Sequence, residues 1–215
     1  MIEKLKEPWL KRGETLLCFG DSLTAATNGY VSMLEEALAP QGIRVINAGV
    51  GGDKTPHALT RLVTDVIEQK PDAVSFFFGA NDSVIGRGCW RDEPVVEPIT
   101  YRDNLIWMVH ICRLKSSIRR FSIAAPSGRI EGDAWHEFGD IRREYCLMAR
   151  QAADLANALF VPLDTVMDQR RDAMPATDNG LKLTRDGVHP TTDGYHLIAE
   201  TMLKSWCLPS PSMTV

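Results

Sequence analysis

The sequence predicts an α/β fold in which helices cover both faces of a mainly parallel β-sheet. Five short apolar runs have the length and composition of buried strands, and segments with apolar residues at helical spacing separate them. Strands that alternate with helices favour parallel pairing, because each helix carries the chain back to the start of the next strand. The predicted strands are residues 15–19, 43–46, 73–78, 122–125 and 158–161.

Apolar stripes between and after these strands predict the helices. The helix that ends near residue 67 is expected to use Thr55 as its N-cap and Pro56 in its first turn. Residues 83–100 and 126–136 are predicted to be loops, and residues 168–185 to be polar and irregular. The stripes lie within residues 30–38, 59–67, 105–112, 138–155 and 195–206.

The length of 215 residues and the single series of alternating segments predict one domain over residues 1–215. Its core is expected between about residues 14 and 206, with residues 1–13 and 209–215 peripheral. A hydrophobic content of 44% and a charged content of 24% are typical of a globular protein rather than a disordered chain.

Charge and composition indicate which partners to expect. The net charge is −4 and basic residues occur in pairs on predicted surface, which argues against nucleic acid as a partner. The first residues are charged and no apolar stretch has the length of a membrane span, so no membrane association is expected. The five cysteines are scattered, which indicates free thiols in a reducing compartment and predicts a cytoplasmic location.

Three candidate site residues follow three different predicted strands. Ser22 lies in a glycine-bearing turn after the first strand, Gly52 in a glycine-rich segment after the second, and Asn81 after the third. Because the carboxyl ends of parallel strands share one edge of a sheet, all three are expected to lie near one another. Such a cluster suits acyl transfer, which needs a nucleophile and fixed hydrogen-bond donors for an oxyanion.

Each of these segments also has a simpler interpretation when it is taken alone. The turn at residues 20–23 and the pair Asn81-Asp82 are common turn and helix-cap sequences, and the glycines at 49–52 suit a tight turn. A phosphate-binding loop is a further alternative for these glycines. Lys54, however, stands where the Gly-x-Gly-x-x-Gly pattern needs its last glycine.

A base for Ser22 is predicted in Asp186-x-x-His189, just before the last helix. This spacing puts both side chains on one side of a turn. Asp186 can then accept a hydrogen bond from one ring nitrogen of His189 and leave the other nitrogen to take the serine proton. Metal ligation is the alternative for the pair, although no third ligand stands at a suggestive spacing.

These segments stand in the order of the four blocks of the SGNH (GDSL) hydrolases, and the sequence resembles that family from about residue 14 to residue 206. The resemblance implies a flavodoxin-like SGNH hydrolase fold, a three-layer α/β/α sandwich with a five-stranded parallel sheet. The blocks are Gly20-Asp21-Ser22-Leu23, Asn47-x-Gly49-x-x-Gly52, Gly79-x-Asn81-Asp82 and Asp186-x-x-His189-Pro190.

The resemblance also implies a role for each candidate residue. Ser22 is expected to be the nucleophile, His189 its base and Asp186 the partner of that base. The N–H groups of Ser22 and Gly52 and the side chain of Asn81 are expected to form the oxyanion hole. No metal and no organic cofactor is expected.

Residues 42–47 and 65–75 look most similar to bacterial carbohydrate acetylesterases, including those that deacetylate xylan fragments. The resemblance therefore implies short-chain acetyl esters of sugars as substrates, and it admits a homo-oligomer. The alternatives are a lysophospholipase or acyl-thioesterase of the same family, a non-catalytic glycan-binding module and a flavodoxin-like nucleotide binder. Candidate substrate contacts are Asp21, Trp90, Trp135 and His136.

Overall fold

The chain forms a parallel five-stranded sheet, as predicted. The computed structural model describes residues 7–84, 93–132 and 140–209. The strand order is β2-β1-β3-β4-β5, and every neighbouring pair is parallel. The direction of winding therefore reverses beside β1, which is where ligands bind in open sheets of this kind. The strands are β1 (Thr15–Gly20), β2 (Arg44–Gly49), β3 (Ala73–Phe77), β4 (Arg120–Ala124) and β5 (Leu159–Val161).

A helix follows each strand, and the helices between strands return the chain to the level at which the strands begin. A single 3₁₀ turn over Ala39–Gln41 follows the second helix, and a π-helical turn over Val63–Ile67 continues the third. The α-helices are α1 (Ser22–Ala25), α2 (Tyr30–Leu38), α3 (Thr55–Leu62), α4 (Pro98–Lys115), α5 (Arg142–Leu155), α6 (Leu163–Ala173) and α7 (Thr192–Ser205).

Alternation along the central strand β1 divides the core into two halves. Leu16 and Cys18 belong to a buried cluster with residues of α2, α6 and α7. Leu17 and Phe19 belong to a second cluster with residues of α3, α4 and α5. Because successive side chains of a strand point to opposite faces, these clusters are the two faces of one sheet. The result is the predicted three-layer α/β/α arrangement.

The prediction that residues 168–185 are irregular is wrong for the first part of that segment. Residues Leu163–Ala173 form α6, and its buried positions are Leu163, Met167 and Arg171. These positions have the four-residue spacing of a helix face, but the third is an arginine. A stripe of only two apolar residues is too short to be recognised by hydrophobic periodicity.

The start of α3 also differs from the prediction. Thr55 is the first residue of the helix rather than its N-cap, which is Lys54. The N–H and the hydroxyl of Thr55 both donate to Oδ1 of Asp82, at 2.9 and 2.5 Å. The Thr55 side chain therefore connects α3 to the segment after β3 instead of capping its own helix.

The first three strands end side by side, because Gly20 pairs with Gly49 of β2 and with Phe77 of β3. The short helix α1 then passes directly over the end of β2. A Cβ atom added at Gly49 would lie 2.2 Å from the backbone nitrogen of Ala25, which is far closer than packed atoms approach. The turn that carries Ser22 therefore requires glycine at position 49.

We expect Gly49→Ala to lower the free energy of unfolding by about 1–3 kcal/mol, because the methyl group pushes α1 away from β2. Urea denaturation measures this change. Gly51→Ala is the matched control, since among the described residues only its own chain neighbours have atoms within 4 Å of a Cβ there. It should change stability by less than about 0.5 kcal/mol. Equal stability of the two variants would contradict the close packing of α1 on β2.

Candidate active site

The backbone of the turn after β1 fixes the position of Ser22. Asp21 is the N-cap of α1, and its Oδ1 accepts a hydrogen bond from the Leu23 N–H at 2.9 Å. The carbonyl of Asp21 accepts from the N–H groups of Thr24 and Ala25. Ser22 is thus the first residue of a short helix at the carboxyl edge of the sheet, and its side chain is half-buried.

Ser22, His189 and Asp186 lie in one hydrogen-bonded series. The Ser22 Oγ is 3.2 Å from Nε2 of His189, and Nδ1 of the same ring is 2.7 Å from Oδ2 of Asp186. The other carboxylate oxygen, Oδ1, accepts from the N–H groups of His189 and Val188 at 2.7 and 3.0 Å. The structure therefore brings together three residues that are up to 167 positions apart in the sequence.

The Asp186 carboxylate is stabilised in its charged form. Partial burial by itself would raise its pKa, but hydrogen bonds from the His189 backbone and ring and from the Val188 N–H outweigh burial and hold the pKa below its ordinary value. An ionised carboxylate at Nδ1 fixes the histidine tautomer that presents an unprotonated Nε2 to a hydroxyl. This arrangement can accept a proton from Ser22.

Gly52 and Asn81 follow the neighbouring strands at the same edge of the sheet. Gly52 has φ of 83°, a left-handed conformation that favours glycine. The buried Asn81 donates from Nδ2 to the Asp53 carbonyl at 3.0 Å. An amide nitrogen carries two N–H groups, so this bond uses one of them. The carbonyl of Asp53 thereby links the segment after β3 to the segment after β2.

Arg61 connects the ends of β1 and β2, a role that was not predicted from the sequence. Its guanidinium donates to the carbonyls of Gly20 and Ala48, at 3.0 and 2.9 Å, and to Oδ2 of Asp53 at 2.5 Å. It also lies over the Phe19 ring, 4.2 Å from the centroid. An arginine on an amphipathic helix has no sequence signal that separates it from a surface residue. Its role follows only from the three-dimensional arrangement.

The chain is similar to known proteins in sequence and in fold. A sequence model of the GDSL-like lipase/acylhydrolase family matches residues 18–197. The chain belongs to this family. The chain is accordingly a carboxylic ester hydrolase. The matched range begins in the middle of β1, includes the other four strands and ends within α7.

Similar proteins include esterases from bacteria. An acetylxylan esterase from Geobacillus stearothermophilus is 30% identical, over 89% of this chain and 93% of that protein. The uncharacterized lipoprotein YqeF from Bacillus subtilis is 32% identical, over 87% of each chain. The crystal structure of Axe2, an acetylxylan esterase from Geobacillus stearothermophilus, superimposes with a TM-score of 0.76 at 25% identity, covering 93% of this chain and 97% of that one.

Three of the predicted substrate contacts of this GDSL-like hydrolase, Trp90, Trp135 and His136, lie outside the described residues. The fourth, Asp21, is only 1% exposed and is engaged by the Leu23 N–H, so its contact with a substrate stays a prediction. In the described ranges, no three His, Cys, Asp or Glu side chains are placed to hold a metal. No helix in those ranges is long and apolar enough to cross a membrane.

Two buried carboxylates lie beneath the site of this GDSL-like hydrolase. Burial raises the pKa of Asp21 to about 7, although the hydrogen bond from the Leu23 N–H partly opposes it. Burial raises the pKa of Asp82 to about 6, against the hydrogen bonds from Thr55. Both residues therefore bind a proton more tightly in the folded protein than in the unfolded chain.

We expect the stability of the protein to fall as the pH rises from about 5 to about 7. In this range the unfolded chain has released protons that folded Asp21 and Asp82 still hold, so raising the pH favours unfolding. Asp21→Asn keeps an acceptor for the Leu23 N–H and removes one titrating group. It should flatten the slope and add about 1–3 kcal/mol to the free energy of unfolding at pH 8.

Urea denaturation between pH 5 and pH 8 measures this effect in the wild type and in Asp21→Asn. Asp178→Asn is the control, because it removes a carboxylate that is exposed to solvent. Its stability should follow the wild-type pH dependence. A slope in Asp21→Asn as steep as that of the wild type would show that the Asp21 carboxyl does not carry the pH dependence.

Proposed function

We propose that the protein is a serine esterase that removes short acyl groups, acetyl above all, from carbohydrates. One observation carries the mechanism: the hydrogen-bonded series from Ser22 Oγ through the His189 ring to the Asp186 carboxylate. Nucleophile, base and orienting acid are thus supplied by the chain itself. The reaction proceeds through an acyl-enzyme on Ser22 and uses no cofactor in any step.

The first half of the reaction acylates the serine. Nε2 of His189 takes the hydroxyl proton while the Ser22 Oγ attacks the carbonyl carbon of the ester. The carbonyl oxygen becomes an oxyanion, which accepts hydrogen bonds from the N–H groups of Ser22 and Gly52 and from the Asn81 amide. When the intermediate collapses, the C–O bond to the alcohol breaks and the alcohol leaves with the proton from His189.

The second half returns the enzyme to its starting state. His189 takes a proton from water, and the resulting hydroxide attacks the acyl carbon. The same donors hold the second oxyanion. Collapse then breaks the bond to Ser22, which recovers its proton from His189 as the carboxylic acid departs. Throughout the cycle, the Asp186 carboxylate stabilises the imidazolium form of the histidine.

The comparisons support both the residues and the substrate class. Catalytic mutants of the Geobacillus stearothermophilus acetylxylan esterase carry alanine at one serine, one aspartate or one histidine. In that enzyme the aspartate precedes the histidine by three positions, as Asp186 precedes His189 here. Identity of 30% along 89% of this chain supports acetylated sugars as the substrates. A cytoplasmic location and a homo-oligomeric state stay predictions.

We expect Ser22→Ala to lower kcat for 4-nitrophenyl acetate by at least about 10³-fold, because no other group takes the acyl chain. Steady-state kinetics with purified protein measures the change. Ser32→Ala is the matched control, since Ser32 is also a half-buried serine with a hydrogen-bonded hydroxyl, here to the Gly29 carbonyl. Its kcat should stay within twofold of the wild type. A Ser22→Ala enzyme with wild-type kcat would rule out the acyl-enzyme.

We expect activity on 4-nitrophenyl esters to be highest for acetate and to fall steadily as the acyl chain lengthens to dodecanoate. A site for acetylated sugars places the large group on the alcohol side of the ester rather than on the acyl side. Acetate release from acetylated xylo-oligosaccharides is the second measurement. Rates that rise beyond eight acyl carbons would instead support the lysophospholipase or thioesterase alternative. Glycan binding without hydrolysis of any ester would support the binding module.

A further inference from the structure

The segment that carries the base of the site is not held by regular secondary structure. Between α6 and α7, residues 181–189 form bends and a single bridge from Thr184 to Pro190. The side chains of Asp186 and His189 are 55% and 41% exposed. Packing around these two side chains is therefore slight. The position of the His189 ring depends on how the backbone of this segment is attached to the rest of the protein.

Glu131, in the segment that follows β4, contributes to that attachment together with Thr191, which donates from its N–H and its hydroxyl to the Leu183 carbonyl. Glu131 is 3% exposed, and its carboxylate accepts hydrogen bonds from three consecutive backbone N–H groups. These belong to Lys182 at 3.0 Å, Leu183 at 3.1 Å and Thr184 at 2.8 Å. The Thr184 hydroxyl donates to the same carboxylate at 2.6 Å. One side chain thus fixes the backbone immediately before Arg185 and Asp186.

The same residue also reaches the far side of the segment. The backbone N–H of Glu131 donates to the Gly187 carbonyl at 3.2 Å, and the Gly187 N–H donates to Oγ1 of Thr184 at 3.1 Å. The N–H of Arg185 closes the turn by donating to the His189 carbonyl at 2.8 Å. Hydrogen bonds that involve Glu131 and Thr184 therefore hold the backbone on both sides of Asp186.

Arg171 of α6 completes the network. Its Nε donates to Oε1 of Glu131 at 2.7 Å, and both side chains are almost fully buried. Burial alone would raise the pKa of Glu131, but the hydrogen bonds from Thr184, Lys182 and Arg171 outweigh burial and hold the pKa below its ordinary value. The carboxylate is thus charged, and both of its oxygens act as acceptors.

We infer that Glu131, paired with Arg171, is a positioning residue that places the His189 ring against Ser22. The inference rests on the proposed function, since it concerns the base of that mechanism. The side chain of Glu131 forms hydrogen bonds with Arg171 and residues 182–184, and with neither Ser22 nor His189. It acts through the backbone of residues 182–187, and a displacement of the ring by about 1 Å is enough to lower the rate of a reaction by about 100-fold.

The decisive variant is Glu131→Gln in the full chain. Glutamine has the same shape, but one of its two terminal atoms is an NH₂ donor instead of an acceptor. In either orientation that NH₂ faces N–H donors, the backbone of residues 182–184 or Arg171. We expect kcat for 4-nitrophenyl acetate to fall about 10- to 100-fold while KM stays within about twofold, because this small ester does not depend on the displaced segment for binding.

Glu14→Gln is the matched control. Glu14 is also a mostly buried carboxylate that accepts from an arginine, Arg120 at 2.6 Å, and from a backbone N–H, Lys11 at 2.7 Å. It lies at the amino end of β1, opposite to the site. Glu14→Gln should lose stability without losing kcat. Glu131→Asp keeps two acceptors on a shorter side chain and should recover part of the kcat that Glu131→Gln loses.

Each outcome distinguishes the inference from its alternatives. A Glu131→Gln enzyme that is folded and has kcat within twofold of the wild type overturns the positioning role. Loss of kcat in Glu131→Gln and Glu14→Gln alike, in proportion to lost stability, also overturns it. If Glu131→Gln does not fold, Thr184→Val decides, since it removes only the hydroxyl between Glu131 and Gly187, and unchanged kcat would then overturn the inference. Wild-type activity in Ser22→Ala refutes the proposed function instead.

Discussion

The parallel register at the end of β1 is the constraint on which the candidate site depends. Gly20 stands opposite both Gly49 and Phe77, so the segments after three strands begin at the same level of the sheet. Because the strands end together, short segments are enough to place three features at one edge of the sheet. These are the helical turn at Ser22, the left-handed Gly52 and the buried Asn81 amide. Close packing of α1 on Gly49 then fixes the position of the short helix that carries Ser22.

The two halves of the site come from different parts of the chain: the ends of the first three strands, and the segment before α7. The strand ends carry Ser22, Gly52 and Asn81. Hydrogen bonds from the Arg61 and Asn81 side chains connect these strand ends to one another. The segment before α7 carries Asp186 and His189, and it has no ladder of its own. This second half needs side-chain acceptors for its backbone N–H groups, because backbone donors removed from water must be paired. Glu131 provides that pairing, so a residue outside the reacting atoms determines where the base lies.

The meeting of Ser22 with Asp186 and His189 was predicted from the Asp-x-x-His spacing and from the resemblance to the SGNH hydrolases. The sequence also predicted the five strands, the helices on both faces of the sheet and the shared edge at which the first three strands end. These features depend on apolar periodicity and on the shared edge of parallel strands, and both can be inferred from the sequence alone. Helix α6 was missed because its third buried position is Arg171, which interrupts the apolar stripe. For the same reason the pair Arg170-Arg171 was interpreted as surface, whereas Arg171 is buried against Glu131. Pairs of opposite charge that are far apart in sequence have no periodic signal.

Among the described residues, charge is buried mainly where the chemistry is expected. The charged side chains that are buried all lie near the carboxyl edge of the sheet or contact a residue there, whereas the Glu14–Arg120 pair at the amino edge is 18% and 29% exposed. Apolar groups of similar size would often be at least as stable in such positions, because desolvation of an ion pair offsets much of its attraction. Hydrogen bonds to the carbonyls at the strand ends and to the N–H groups of loops, however, require charged or polar side chains. The polar groups buried at this edge are therefore explained by the fixed geometry around Ser22 rather than by stability. The buried ionisable residues are Asp21, Asp53, Lys54, Asp82, Glu131, Arg142 and Arg171.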